Sequence, residues 1–74
     1  MTEFSPGDRV VLTMAPASLL RGLPENDQEA VRSIVGQPVT FAGFSFGQAE
    51  LEFKDADGDA HTIWVEAALI EKAR

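Results

Sequence analysis

Residues 49 to 65 constrain the fold more than any other part of the chain. The run AELEFK sets Ala49, Leu51 and Phe53 on one side and Glu50, Glu52 and Lys54 on the other, and AHTIWV follows it across DADGD. Strict alternation of this kind belongs to a strand with one buried and one wet face. Asp57-Gly58 between two such runs is the strongest short-range sign of a hairpin, because both central residues of a type I′ turn need positive φ. A pleated meander turning at Gly58 is therefore expected, and it decides what each side chain nearby can touch.

The same stretch also suggests something else. Asp55, Asp57, Asp59 and Glu66 stand at positions 1, 3, 5 and 12 of a twelve-residue window, the acid spacing of a calcium loop. Such a loop bends at a glycine in its sixth position and lies between two helices; here that position is Ala60, Gly58 comes two residues too early, and both flanks have strand composition. The hairpin is the better reading, and what survives of the alternative is a weak surface cation site at Asp55, Asp57 and Asp59.

The remaining elements follow from period and punctuation. GDRVVLT starts on a turn signal and runs into β-branched residues, which predicts a first strand over 9–14. APASLLRG fits a single helical turn closed by Gly22, with Leu19 and Leu20 turned inward. In LPENDQEAVRSIVG, Pro24 suits the first helical position, Glu25, Asp27 and Glu29 meet the positive end of the helix dipole, and Gly36 closes the helix. Ala30, Val31, Ile34 and Val35 share one face and leave Gln28, Arg32 and Ser33 outward; Asn26 with Glu29 as a capping box is an alternative start. PVTFAGF alternates Val39, Phe41 and Gly43 against Thr40, Ala42 and Phe44, turns at SFGQ, and enters the hairpin. EAALIEKA ends the chain as a helical turn and a short last strand around Leu69 and Ile70.

At 74 residues the chain makes one domain, and a domain of this size buries only about 60% of the surface its unfolded form exposes. With 45% apolar residues and no cysteine, it has to fold on packing alone, without disulfides or thiolate metal sites. The lack of cysteine suits a reducing compartment, and MTEFSPGDRV shows neither a basic leader nor an apolar run, so cytoplasmic residence and no membrane attachment are expected. Twelve acids against six Lys and Arg leave a net charge of −6, and the basic residues are scattered singly. Direct nucleic-acid binding is disfavoured; the acidity serves solubility or a basic protein partner.

Five short strands, a helical excursion after the first, a meander of three and a helical turn before the last together resemble an SH3-like barrel. GDRVVL is similar to the opening of KOW and nitrile-hydratase-β-type barrel domains, and TIWVEAALIE resembles the strand, helical turn and strand that close SH3 folds. The resemblance implies a mainly β, SH3-like five-stranded small barrel spanning 1–74, with a helical insertion at about 16–36. The ALYDY run of peptide-binding SH3 domains and the basic face of RNA-binding KOW domains are both missing, so neither ligand class is carried over.

For function, alternation places Trp64 opposite Ile63 and Val65, next to Glu50 and Glu52. An exposed Trp64 joined by Phe44 and Phe46 would make an aromatic patch rimmed by acids; alternatively, Trp64 covers an open end of the barrel. His61, the only histidine, is expected beside an acid such as Glu52, with a raised pKa. One histidine cannot form a His-pair metal site, the serines lack a nucleophile-elbow context, and no glycine-rich phosphate loop precedes the helix. No cofactor is indicated. The expectation is a non-enzymatic protein-binding module using Trp64, Phe44, Phe46, Glu50 and Glu52. Two alternatives are an acidic inhibitor or immunity-type protein that mimics nucleic acid, and, by analogy with the nitrile-hydratase outline, an accessory domain of a larger enzyme.

Overall fold

A computed structural model describes residues 4–73. Strand β1 (Arg9–Leu12) leads into a four-residue helix α1 (Ala17–Leu20) and the main helix α2 (Glu25–Ile34). The meander β2 (Pro38–Ser45), β3 (Gln48–Lys54) and β4 (Ala60–Val65) follows, and a 3₁₀ turn (Ala67–Leu69) delivers β5 (Ile70–Lys72). The five strands form one antiparallel sheet in the order β4-β3-β2-β1-β5. The sheet is open: β4 and β5 are its two edges, with no ladder between them. Among the described residues, no helix is long and apolar enough to cross a membrane.

Cross-strand register sorts the side chains. Phe41, Leu51 and Ile63 form one inward row, and Arg9, Thr40, Glu52 and Thr62 form an outward row across four strands. Val10, Leu12, Phe41, Ala49 and Leu51 are completely buried, and Val31 and Ile34 of α2 and Leu20 of α1 complete the same core. Val65 and Ile70 belong to that core although they lie on opposite edges of the sheet. A flat five-stranded sheet would put its edges about 19 Å apart. The link from Val65 to Ile70 reaches about 17 Å even if fully extended, and its 3₁₀ turn shortens it further, so the sheet has to coil around its core. Thr13 fastens the crossing, its N–H and Oγ both donating to the Leu69 carbonyl at 2.8 and 2.9 Å.

Several local expectations are corrected. The helix begins at Glu25, with Pro24 still extended (ψ 155°), and no side chain caps it, so neither Pro24 as first helical residue nor the Asn26 capping box is realised. Gln28 is not outward: its amide donates back to the Leu23 carbonyl at 2.9 Å. Strand β1 stops at Leu12 rather than Met14, because the next amide bonds to the link before β5.

The DADGD turn is not of the type expected. At DADGD, Asp55 O accepts from Gly58 N–H at 3.0 Å, and of the turn's residues only Gly58 has positive φ (86°). This is a type I turn closed by a left-handed glycine, not type I′. The primed turn sits instead at Phe46-Gly47, where φ is 51° and 79° between the paired Ser45 and Gln48. In β2, a bulge at Ala42–Gly43 shifts the register, so Phe44 comes to lie opposite buried Ala49 on the inward side, out of the alternation expected of it.

Phe46 is the one non-glycine residue with positive φ among the described residues, and it is as exposed as in an isolated peptide (103%). A bulky side chain there is strained and makes no compensating burial. Phe46→Asn is therefore expected to stabilise the fold by about 1 kcal/mol, read as a higher urea midpoint at unchanged slope. A lower midpoint would mean that Phe46 packs against something.

Candidate functional site

Trp64 lies on edge strand β4 with its neighbours Ile63 and Val65 buried, so the pleat turns the indole to the outer face, where it is 45% exposed. It pairs across the sheet with Glu50, and the indole N–H donates to Glu50 Oε1 at 3.1 Å. This bond leaves the ring faces free. The indole opens onto a groove of about 420 Å³ whose other walls include Pro16 and Leu19 from the α1 segment, Gln48, and Glu66 and Leu69 before β5. The apolar side chains of Pro16, Leu19 and Leu69, one flat aromatic and the Glu66 carboxylate, with Glu50 held at the indole N–H, suit an aliphatic segment carrying a cation.

The expected aromatic patch is divided. Phe44 is 56% exposed but lies on the inward side of the sheet, edge-on to Phe41 with ring centroids 5.1 Å apart, whereas Trp64 faces outward. The bulge at Ala42–Gly43 causes this separation. Phe46 stands at the hairpin tip, and Glu52 lies in the outward row between Thr40 and Thr62, outside the groove. Pro16, Leu19, Glu66 and Leu69 were not anticipated as site residues. A signal existed for Leu19: consecutive residues on a helix point about 100° apart, so Leu19 and Leu20 cannot both turn fully inward, and only Leu20 is buried.

A second cluster surrounds His61. Its face of β4 is the inward one, across from Phe53 rather than Glu52, and the two rings stack with centroids 5.3 Å apart. Asp55 Oδ2 lies 2.8 Å from His61 Nε2, and Asp27 Oδ1 of α2 lies 3.0 Å from Nδ1. Ionised carboxylates only accept, so both contacts are satisfied only by the imidazolium, which donates from both nitrogens. The hydrogen bond to Asp55, aided by the charges of Asp55 and Asp27, holds the His61 pKa above its ordinary value against the opposing effect of burial. The Asp55 carboxyl is held below the usual carboxylate range, chiefly by His61 and then by the backbone N–H of Asp59, with Asp57 adding a smaller share.

Asp55, Asp57 and Asp59 bring carboxylate oxygens within 4.8 Å of one another. Asp55 Oδ1 accepts from the backbone N–H of both Asp57 and Asp59 at 2.9 Å, and its other oxygen faces His61. Turn chemistry accounts for Asp55 and Gly58, an Asx-type bend to which Asp57 and Asp59 contribute only their backbone N–H groups; it does not require the other acids of the calcium-like spacing. No known protein family matches the chain, and no characterised protein or solved structure is significantly similar to it.

Because Asp55 accepts three hydrogen bonds and Asp57 offers only its backbone to this network, their substitutions should separate. Asp55→Ala is expected to lower the urea midpoint, whereas Asp57→Ala leaves it where it was. Equal losses from the two would show that the acids act as a set rather than through the Asp55 bend.

Proposed function

We propose that the chain is a non-enzymatic protein-binding module of SH3-like architecture whose contact surface is the Trp64 groove and whose partner is basic. The observation carrying this reading is the exposed indole, oriented by Glu50 beside the apolar walls of Pro16, Leu19 and Leu69. Strand order, the helical excursion after β1 and the 3₁₀ turn joining the two edges support the small-barrel outline. Binding would bury the indole against an aliphatic stem, with Glu50 and Glu66 meeting its cation. Anchors of this type carry most of an interface's energy, and rim charges speed encounter.

Trp64 is the only tryptophan, so its fluorescence reports directly on the groove. A partner recovered by affinity capture and purified should shift that emission to the blue, and Trp64→Ala should weaken binding about thirtyfold, the effect of a 2 kcal/mol anchor. Unchanged affinity in Trp64→Ala would exclude the groove as the contact surface.

An acidic decoy of nucleic acid is the second reading. It is favoured by the gathering of Asp27, Glu29, Asp55, Asp57 and Asp59 around one cavity of about 510 Å³, at the end of β4 remote from Trp64. Under that reading, Asp57→Asn with Asp59→Asn abolishes binding while Trp64→Ala does not.

A further inference from the structure

We propose that His61 is a proton-operated latch that holds the first turn of α2 against the β3–β4 hairpin and releases the helix side, not the hairpin side, when it loses its proton. The inference is independent of the groove at Trp64.

The geometry begins with one ring placed between two acceptors on different elements, Asp27 on α2 and Asp55 in the turn. A neutral imidazole has one N–H and one lone pair. After deprotonation, one carboxylate therefore faces a lone pair at hydrogen-bond distance, and that contact has to open.

Which contact opens follows from how each acid is held. Asp55 is fixed by two backbone N–H bonds to its other oxygen and is the closer partner, at 2.8 Å. Asp27 lies 3.0 Å away, is the more exposed of the two (37% against 21%), and has no other hydrogen bond among the described residues. Its carboxylate can swing into water, still favoured by the helix N-terminus. The remaining N–H stays with Asp55, and the ring stays stacked on Phe53.

The charges facing His61 favour the latched state. On the α2 side, Asp27 and Glu29 line the cavity it borders, and the turn contributes Asp55, Asp57 and Asp59. On its other side, a second cavity brings Arg9 of β1 with Glu52 and Lys54 of β3. Glu52 is turned to the opposite face of the sheet, and the five acids of the first cavity outnumber the two cations of the second.

The sign follows from linkage. A histidine pKa raised by folding contributes stability that is complete below its unfolded value of about 6.5 and lost as pH rises through the folded value. The lowered Asp55 pKa works at the other end, contributing stability above about 3.9 that is lost as pH falls through the folded value. The latch is strongest between these limits and is released on the alkaline side.

Amide hydrogen exchange, corrected for its intrinsic pH dependence, tests this when followed alongside the NMR titration of the His61 ring. Protection of the α2 amides should fall several-fold as the ring titrates, while β2 and β3 amides keep theirs. Asp27→Asn should remove the step, because an amide N–H can donate to the neutral ring's lone pair. His61→Gln, which has no proton to lose in this range, should also remove it. The proposal is overturned if helix and sheet lose protection together, if no step accompanies the ring titration, or if Asp27→Asn retains the wild-type step.

Discussion

Both edges of the sheet have to reach one hydrophobic core, and only the four residues 66–69 separate the last residue of β4 from the first of β5. That connection is too short for a flat sheet, so the coil of the whole molecule is imposed by covalent reach as much as by side-chain packing. The bulge at Ala42–Gly43 adds local twist in the longest strand, where curvature is most needed. The same crossing brings Leu69 beside Trp64 and so creates a wall of the groove.

The coil leaves one side of the core uncovered by strands, and α2 closes it with Ala30, Val31 and Ile34. No side-chain cap fixes the helix start, so its placement there depends on packing and on the contacts that Gln28 and Asp27 make. The β3–β4 hairpin consequently has two chemically different ends. At the turn it is tied to the helix through charge and protons; at the far end it presents an indole between apolar side chains.

Much of this was legible in residues 49 to 65, where alternation gave the faces of Leu51, Ile63 and Trp64 and set Trp64 near Glu50 and Glu52, of which the register selects Glu50. The helix was legible in its apolar stripe and closing Gly36. Turn type was not, because Asp-Gly suits both a primed turn and a type I turn with a left-handed glycine, and only the hydrogen bonds decide. The fate of Phe44 was also hidden, since one extra residue in a strand reverses every later side chain and a bulge carries no strong local signal. His61 was placed beside the wrong acid for a related reason. Its nearest acid in the register, Glu52, lies on the other face, while Asp27 reaches it from a helix more than thirty residues earlier.

The position of β1 has a kinetic meaning. It lies between β2 and β5, with Val10 paired to both Val39 and Lys72. The meander can assemble from neighbours in sequence, but the β1–β5 ladder closes a loop spanning most of the chain, and that loss of chain entropy comes before its contacts reward it. Until the ladder forms, β1 has a free edge and Ile70 is without its place in the core, so the final closure of the domain is a search by its two ends for one another.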